Sequence, residues 1–454
     1  MSSEPVPFVE QIAKERLERE LPDAKPLLTP GEARAEAERC LFCHDAPCVT
    51  ACPTEIDIPL FIKKIASGNV TGSATTIFES NILGYSCARV CPVEVLCVGA
   101  CVYNDWHRAP IQIGKLQRYA TETVLARAAK AGKVPLAPKP KSAASKRVAL
   151  IGGGPASLAC AAYLTLEGHH AVIFERGRLP GGLNTTGVAP YKLHADDALR
   201  EVDFVASLGV EIRTGVEIGK GVSVQSLLDE YDAVFIGIGL GADTRLNIPG
   251  EEGPSVLGAT AFIERLKNDP DFSIAGMKQA LVVGGGNTAI DVARELAQLG
   301  VPDVAMVYRR GAEHMTGYAH EMSAARLAGV RLIERAQPIA VLRDEAGNVK
   351  SLRVALTENG KIIAGTEQDL ACDTVVLAIG QSKLRALASE LPGVELDNRG
   401  CVVVEAGSRR TGNSRVYAGG DCINGGKEVV NAVADGRDAA RAMMRVWAGA
   451  EAAG

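Results

Sequence analysis

Two glycine-rich loops, each following an apolar run and preceding an Ala-containing helical segment, constrain the fold of this sequence most strongly. The first is "VALIGGGPASLACAAYL" and the second is "QALVVGGGNTAIDVARELAQLG". A strand, a glycine turn and a helix together bind a dinucleotide pyrophosphate, because the turn lets the backbone approach the phosphates and the helix N-terminus offers free N–H groups. Two such loops predict two dinucleotide-binding halves.

The residues after 146 alternate short β-branched runs with helical segments, which indicates α/β units on parallel sheets. The runs expected as strands are "RVALIGG", "HAVIFE", "DAVFIGIG", "QALVVGG", "VAMVYRR", "DTVVLAIG" and "RVYAGGD". The residues before them are different. Thr29-Pro30-Gly31-Glu32 has the N-cap, first-position Pro and third-position Glu of a helix start. "IPLFIKKIASGN" and "GSATTIFESN" also have helical spacing, and residues 129–146 predict an exposed linker.

The N-terminal part contains most of the cysteines. Of the 12 in the chain, those that lie close together are Cys40, Cys43, Cys48, Cys52, Cys87, Cys91, Cys97 and Cys101. The N-terminus has no apolar signal segment, and no apolar run is long enough to span a membrane, so we expect a cytoplasmic protein. In that reducing compartment, clustered cysteines indicate metal or redox chemistry rather than disulfides. The net charge of -5 favours neither nucleic acid nor a membrane as a partner.

The spacing Cys40-x2-Cys43-x4-Cys48-x3-Cys52-Pro53 is close to the bacterial ferredoxin run, in which three cysteines bind one [4Fe–4S] cluster and the last binds another. The second group again pairs cysteine with proline, at Cys91-Pro92. Two clusters are expected. Zinc is the alternative, but zinc sites usually take two Cys-x2-Cys pairs and only one is present. From spacing alone, Cys87 would be the eighth ligand.

The first glycine loop predicts a flavin site. Gly152 and Gly154 serve the turn and the close approach, Ser157 replaces the third glycine, and Glu175 ends the next strand, where it would take a ribose hydroxyl. Near the C-terminus, Asp421 follows a strand and precedes a helix. This arrangement resembles flavoprotein disulfide-reductase-like enzymes, in which such an aspartate contacts the flavin ribitol. The resemblance implies FAD, and a helix-capping role of the aspartate is compatible with it.

The second glycine loop, with Gly284, Gly286 and Ala289, predicts a pyridine nucleotide site. The strand after it ends in Arg309 and Arg310 instead of an acidic residue. Such a pair suits a 2′-phosphate and favours NADPH, and the alternative is a solvated strand end.

At this point the resemblance becomes specific. The chain resembles the flavin subunit of bacterial NAD-dependent dihydropyrimidine dehydrogenase, which is similar to the N-terminal half of the mammalian enzyme, and less closely the glutamate synthase small subunit. The segments that carry it are "CLFCHDAPCVTACP", "NILGYSCARVCPVEVLCVGAC", "PIQIGKLQRYATE", "GGGPASLAC", "GGL" and "GGGNTAIDVA". They extend from about residue 30 to the C-terminus.

The resemblance implies a ligand set for each cluster. The first would be held by Cys40, Cys43, Cys48 and Cys101, and the second by Cys52, Cys91, Cys97 and Gln117. Cys87 would then be a spare thiol. The implied flavin residues are Gly152, Gly154, Pro155, Ala156, Ser157, Glu175, Gly182, Leu183, Lys192 and Asp421. At the nucleotide site they are Gly284, Gly286, Asn287, Thr288, Arg309 and Arg310. A further phosphate-binding arginine of the NADPH-using mammalian enzyme falls on Thr316, which favours NADH.

We therefore expect a multidomain protein, with an N-terminal α-helical domain for two [4Fe–4S] clusters followed by two α/β Rossmann-like domains. The helical domain and linker would span 1–145, the FAD-binding domain 146–260 and 373–454, and the NAD(P)-binding domain 261–372. The resemblance implies NADH or NADPH oxidation at FAD and electron transfer to a separate FMN-containing catalytic subunit, which reduces uracil or thymine. The alternatives are a glutamate synthase-like or ferredoxin-linked oxidoreductase, or a zinc-bearing interaction protein without activity.

Overall fold

The computed structural model describes residues 6–131 and 135–452. Its helices are α1 Pro30–Glu38, α2 Pro47–Thr50, α3 Ile58–Ala66, α4 Val70–Ser80, α5 Gly84–Val90, α6 Ile113–Ala131, α7 Pro155–Leu166, α8 Leu183–Thr186, α9 Ala195–Ser207, α10 Val224–Glu230, α11 Ala259–Asn268, α12 Asn287–Gln298, α13 Ala319–Leu327, α14 Arg385–Ser389, α15 Asp421–Asn424 and α16 Val429–Ala452. Short 3-10 segments lie at Phe8–Gln11, Leu17–Glu20, Val93–Val95 and Ala312–His314.

The strands are β1 Arg147–Ile151, β2 His170–Glu175, β3 Glu211–Thr214, β4 Ala233–Ile236, β5 Val256–Gly258, β6 Gln279–Val283, β7 Asp303–Val307, β8 Arg331–Ile333, β9 Ala336–Arg343, β10 Val349–Glu358, β11 Lys361–Ile362, β12 Gln368–Ala371, β13 Thr374–Leu377 and β14 Val416–Ala418. Every run expected as a strand forms one, and the two predicted helices in the cysteine region are α3 and α4.

Local capping fixes the start of the helical domain, as predicted. The Thr29 hydroxyl accepts a hydrogen bond from the Glu32 backbone N–H, and the Glu32 carboxylate accepts one from the Thr29 backbone N–H, which completes a capping box before α1. Of the linker expected at 129–146, residues 132–134 lie outside the described part of the chain, and 129–131 continue α6.

Two parallel sheets with the same pattern of crossovers form the rest of the molecule. The first has the strand order β14-β4-β1-β2-β3, and the second has β5-β13-β6-β7-β8. In each sheet the strand before the glycine loop, β1 or β6, lies at the centre. Such a central strand places its loop at the carboxyl edge, where ligands bind in open α/β sheets. An antiparallel sheet of β9, β10, β11 and β12 is inserted into the second half.

The sheet pairing shows how the two halves are connected. β5 pairs with β13, and β13 pairs with β6, so both strands belong to the second sheet. Residues 256–258 and 374–377 therefore extend the nucleotide-binding half beyond the expected limits of 261 and 372 at both ends. The chain then returns to the first sheet through β14, which pairs with β4.

The helical domain shares an apolar core with the first α/β half. Phe78 on α4 packs against Phe204 on α9, with ring centroids 5.0 Å apart. A buried carboxylate strengthens this junction: Glu201 on α9 accepts backbone N–H bonds from Tyr85 and Ser86, at 2.9 and 3.1 Å, at the start of α5. The two parts therefore pack as one unit. No helix within the described residues is both long and apolar enough to cross a membrane.

Candidate functional site

The first glycine loop leaves β1 in the conformation that phosphate binding requires. Gly152 has φ 92°, and a Cβ at this position would lie 2.6 Å from the Gly237 carbonyl oxygen. Only glycine fits that position without strain. Gly154 is the N-cap of α7, with Pro155 as its first residue, so the backbone N–H groups that begin the helix are free to bind an anion.

Glu175 lies at the end of β2, beside this loop. Its two carboxylate oxygens accept backbone N–H bonds from Gly153 and Gly177, both at 2.6 Å. Ser157 is one turn into α7 and is fully buried, with its side chain beneath Gly237, where an added Cβ would lie 2.1 Å from the Ser157 hydroxyl. Ser157 therefore takes the role that the third glycine of the motif usually has, which is to let the helix pack closely against the strand. Its side chain is not part of the cavity lining.

A single large cavity of about 1110 Å³ joins the two α/β halves. Its lining includes most of the predicted flavin residues and part of the predicted nucleotide set, namely Gly152, Gly154, Pro155, Ala156, Glu175, Gly182, Leu183, Lys192, Asp421, Asn287 and Thr288. Ser157, Gly284, Gly286, Arg309 and Arg310 are not part of this lining. The volume, the two anion-binding helix ends and the mixed polar and apolar surface suit a flavin with an adjoining nicotinamide.

Asp421 borders the cavity where β14 ends. Its carboxylate accepts a hydrogen bond from the Lys427 backbone N–H at 3.0 Å, and burial raises the pKa of Asp421 above its ordinary value. Helix α16 begins just beyond, and its first residue, Val429, also lines the cavity. The N-terminus of a long helix therefore faces the same space as the first glycine loop.

The second glycine loop has an equivalent geometry. Gly284 has φ 151°, and a Cβ there would lie 2.4 Å from the Ala378 carbonyl oxygen. Gly286 caps α12. The Gly285 carbonyl accepts N–H bonds from Thr316 and Gly317. Thr316, the position on which the resemblance places a phosphate-binding arginine, therefore lies directly against the loop.

The arginine pair stands farther out. Arg309 and Arg310 follow β7 and are exposed, and the Arg310 guanidinium lies 5.5 Å from the centroid of the Tyr308 ring. The end of this strand is where the adenosine ribose lies in a dinucleotide-binding unit. Both side chains are accessible to a ribose substituent.

Lys192 connects the two halves inside the cavity. Its ammonium lies 2.8 Å from Asp291 on α12 and 2.8 Å from Glu321 on α13. Burial acts to lower the pKa of Lys192, but these two carboxylates outweigh it and the net pKa is raised. The Tyr191 hydroxyl donates to the same Asp291 at 2.5 Å. Lys192, which the resemblance implies as a flavin residue, therefore also holds α12 and α13 of the nucleotide-binding half in place.

Tyr318 forms a second connection that the sequence did not reveal. Its backbone N–H donates to the Asn287 side chain at 2.9 Å, and its hydroxyl donates to Glu428, just before α16, at 2.8 Å. Its ring stacks on His320, whose imidazole lies 3.5 Å from Glu94. No local sequence signal identifies Tyr318, because its hydrogen-bond partners Asn287 and Glu428 come from two other parts of the chain.

The first predicted set of cysteines converges on one recess. Cys40, Cys43, Cys48 and Cys101 line it together with apolar side chains of α3 and α6. Burial, together with the nearby Cys40 and Cys101, raises the pKa of Cys48 to about 12. A free thiolate is therefore costly there, and bound metal cations would remove that cost.

The second set is more deeply buried. Cys52, Cys91 and Cys97 are each less than a tenth exposed. Burial raises the pKa of Cys97, and the next largest contributions come from Cys91 and Cys52. Cys48 of the first set also contributes, so the two sets are neighbours.

Both candidates for the eighth ligand lie next to this set. Gln117 on α6 is buried, and its side-chain N–H donates to the Gly84 carbonyl at 2.7 Å, which leaves its own carbonyl oxygen as the metal-binding atom. Cys87 is also buried, and its interaction with Cys91 is the main cause of the raised pKa of Cys91.

The chemistry of the donor set fits iron–sulfur clusters. Cysteine thiolates hold a [4Fe–4S] cluster, and a cubane takes each of its four ligands on a different iron atom. Four cysteines around one recess and a second buried group beside it supply such donors. Within residues 6–131 and 135–452, no group of three Cys, His, Asp or Glu side chains has the geometry of a single-ion site.

The second cysteine set lies directly behind the cavity. Val90 and Pro92 both line the cavity, and Cys91 is the residue between them. The N-terminal segment 21–28 covers the same place, and the Lys25 ammonium donates to the Cys91 carbonyl at 3.0 Å. The sequence did not identify Lys25 as a functional residue.

Two family descriptions match this chain. Dihydropyrimidine dehydrogenase domain II, 4Fe-4S cluster, matches residues 17–129, and pyridine nucleotide-disulphide oxidoreductase matches residues 146–436. The T. acidophilum thioredoxin reductase structure covers 67% of this chain and 99% of its own, with a TM-score of 0.54 and 20% identity. Mycobacterium tuberculosis FprA in complex with NADPH gives a TM-score of 0.53, also at 20% identity, over 68% of this chain and 86% of its own. These two structures show the fold alone.

Curated relatives cover nearly the whole chain. The Escherichia coli K12 NAD-dependent dihydropyrimidine dehydrogenase subunit PreT is 34% identical over 432 residues, which is 95% of this chain and 98% of the relative. The NADPH glutamate synthase small chain of the same organism is 34% identical over 439 residues, which is 91% of each. The chain therefore belongs to the pyridine nucleotide-disulphide oxidoreductase family, in the group with PreT and the glutamate synthase small chains, and is an NAD(P)H-dependent oxidoreductase with FAD and [4Fe–4S] cofactors.

Proposed function

We propose that this chain is the electron-input subunit of a dihydropyrimidine dehydrogenase. It oxidises NAD(P)H and delivers the electrons to a separate FMN-containing subunit that reduces uracil or thymine. The single observation that carries the electron-input role is the position of Cys91 between two residues of the cavity lining, Val90 and Pro92. The nucleotide site and the cysteine sets are thereby adjacent within one chain.

When bound, FAD takes up the two electrons of a hydride together, whereas a [4Fe–4S] cluster takes up one electron at a time, so the combination converts hydride transfer into single-electron transfer. The protein binds and orients these groups. The amides that begin α7 would bind the flavin pyrophosphate, and those that begin α12 would bind that of the nicotinamide dinucleotide. Asp421 would accept a hydrogen bond from the flavin ribitol.

The residues that bridge the cavity hold the two α/β halves in a fixed relative orientation. Lys192 holds Asp291 and Glu321, and Tyr318 holds Glu428. These contacts fix the two nucleotide sites relative to each other. Val90 and Pro92 form the part of the cavity wall next to Cys91.

We assign the cluster ligands as the resemblance implies. Cys40, Cys43, Cys48 and Cys101 would hold the first cluster, and Cys52, Cys91, Cys97 and Gln117 the second. The choice of Gln117 over Cys87 rests on the resemblance, and the Gln117 side-chain N–H already donates to the Gly84 carbonyl, so its carbonyl oxygen is the atom that would bind iron. Cys87 would then remain a thiol beside the second cluster.

The half-buried first set marks the exit side. Cys40, Cys43, Cys48 and Cys101 are all partly exposed, unlike the second set. Leu41 and Phe42, which lie between the first two of these cysteines, are 45% and 37% exposed. We expect the partner subunit to dock over this apolar surface.

Anaerobic purification tests the proposal. We expect about eight iron and eight sulfide per FAD, little zinc, and oxidation of NAD(P)H with an artificial electron acceptor but no reduction of uracil. Addition of the FMN-containing subunit should confer uracil reduction. Zinc without sulfide would exclude the electron-transfer role, and uracil reduction by the isolated chain would exclude the two-subunit scheme.

A second candidate is input to a glutamate synthase large subunit, favoured by the 34% identity to the small chain of that enzyme over 439 residues. The same preparation distinguishes the two. If the first proposal is right, the purified chain mixed with a glutamate synthase large subunit should form no glutamate from NAD(P)H. Glutamate formation in this mixture, without uracil reduction in the mixture with the FMN-containing subunit, would replace the first proposal with the second.

A further inference from the structure

A lysine from the N-terminal segment lies against the second cysteine set. The Lys25 ammonium donates to the main-chain carbonyl of Cys91 at 3.0 Å. Cys91 is the cysteine whose neighbours Val90 and Pro92 line the large cavity. A positive charge is therefore held where the cavity and the second set of cysteines meet.

Several polar contacts fix this lysine in place. The Arg118 guanidinium donates to the Asp23 carboxylate at 2.7 Å and also to the Lys25 carbonyl, and Arg89 lies 3.3 Å from the same Asp23. The Ala24 backbone N–H donates to the Tyr191 carbonyl at 2.8 Å. The segment is thus attached to α5 and α6 on one side and to the flavin half on the other. Its position is set by the fold and not by the flexibility of a surface lysine.

The charges around Lys25 are mixed. Burial lowers the pKa of Lys25, the nearby Cys91, Glu94 and Glu321 oppose that shift, and Lys192 adds to it as a like charge on the cavity side. Glu94 and Glu321 are already engaged by His320 and Lys192, at 3.5 and 2.8 Å. The Lys25 ammonium donates its hydrogen bond to the main-chain carbonyl of Cys91. Its charge therefore lies directly beside the second cysteine set.

We propose that the Lys25 ammonium raises the reduction potential of the cluster held by Cys52, Cys91 and Cys97, and so favours electron transfer out of the flavin cavity. The proposal rests on the cluster assignment under the proposed function. One-electron reduction of the cluster, by flavin that NAD(P)H has reduced, adds one negative charge, with no bond formed or broken at Lys25. A nearby cation stabilises the state with the extra negative charge. Lys25 is therefore a positioning charge and not a catalytic residue.

The test is an EPR-monitored redox titration of the intact holoprotein with dithionite. Lys25→Met removes the charge, Lys25→Gln removes the charge but keeps an N–H donor, and Lys25→Arg keeps both. Lys63→Met on the exposed side of α3 is the matched control. We expect Met and Gln to lower the potential of the second cluster, with at least about a tenfold change in the ratio of oxidised to reduced cluster, which is 59 mV for a one-electron couple. Arg and the control should remain near wild type.

The first cluster serves as an internal reference, and its potential should change less than that of the second. An unchanged second-cluster potential in Lys25→Gln, at full iron content, would overturn the inference. If Lys25→Met loses iron, the second-cluster potentials of Lys25→Gln and Lys25→Arg still test the inference. Wild-type protein with only half of the expected iron would instead refute the assignment of two clusters, which is a distinguishable failure.

Discussion

Arg437 on α16 donates to the main-chain carbonyl of Thr54 at 2.5 Å, which ties the helix that begins at the flavin cavity to the loop that follows Cys52. The same guanidinium group reaches the Ser80 carbonyl at 3.2 Å at the end of α4, and Arg437 is only 4% exposed. Thr54 in turn has its hydroxyl 3.3 Å from the Cys52 sulfur. One buried side chain therefore sets the distance between two cofactor sites.

Replacement of Arg437 by Met should loosen this junction. The Thr54 carbonyl, which is buried, and the partly buried Ser80 carbonyl would lose their donor, and loss of the donor at a buried carbonyl costs about 1–3 kcal/mol in the free energy of unfolding. Chemical denaturation followed by flavin fluorescence and by cluster absorbance measures the effect, and stopped-flow reduction should show slower cluster reduction with unchanged flavin reduction. Arg441→Met, at an exposed position of the same helix, is the control. Equal behaviour of the two variants would contradict the structural role.

The eighth cluster ligand can be tested by a pair of substitutions. If Gln117 is the eighth ligand, as proposed above, Gln117→Ala should change the EPR signal of the second cluster, and Cys87→Ala should leave the iron content unchanged. Iron analysis and EPR of the dithionite-reduced proteins provide the measurement. Loss of iron in Cys87→Ala with a normal signal in Gln117→Ala would reverse the assignment.

Glu201 should make the stability of the protein depend on pH. Burial raises its pKa to about 7 from an ordinary value of 4.5, against the opposing hydrogen bonds from Ser86 and Tyr85. Between these two pKa values the folded protein retains a proton that the unfolded chain has released. The contribution of Glu201 to the free energy of unfolding therefore falls as the pH rises through this window, by roughly 1.4 kcal/mol for each pH unit, and is constant above it.

Unfolding of wild type and Glu201→Gln across this window, from about pH 5 to about pH 8, measures this contribution. The variant should show a weaker dependence on pH, because its amide does not titrate. Glu38→Gln, which removes an exposed ion pair with Arg34, should keep the wild-type dependence. Identical slopes for wild type and Glu201→Gln would assign the dependence to other groups.

Thr316 should influence the choice of nucleotide. It lies against the second glycine loop, where its backbone N–H donates to the Gly285 carbonyl at 3.1 Å. Thr316→Arg would add a cation at the second glycine loop, and we expect kcat/KM for NADPH relative to NADH to rise by about tenfold, equivalent to about 1.4 kcal/mol. Thr71→Arg, on α4, makes the same charge change away from the site. An unchanged preference would place the 2′-phosphate elsewhere.

The local features of the fold could be predicted from the sequence. The capping box at Thr29 and the strand before each glycine loop depend on residues that are neighbours in the chain, and all of them form. The boundary between the two α/β halves was harder to predict from the sequence. β5 and β13 are short, and their membership of the second sheet depends on pairing across more than a hundred residues.

The site shows the same contrast. The cysteine spacing and the glycine loops have sequence signatures, and Cys40, Cys43, Cys48 and Cys101 line one recess in the structure. Lys25, Tyr318 and Glu201 act through partners on other domains, and nothing in their own surroundings in the sequence marks them. Such residues become recognisable only when the domains are seen packed against each other.

The segment from Val90 to Pro92 has a consequence for how the enzyme can change. Its two outer residues line the flavin cavity and its central cysteine belongs to the cluster set, so three consecutive residues serve both sites. Under the proposed function, transfer between the sites would take place inside one folded chain and would need no encounter between molecules. Its rate should therefore be independent of protein concentration. The same segment also prevents either site from being altered separately, since a substitution that reshapes the cavity at this point also displaces a cysteine of the other site.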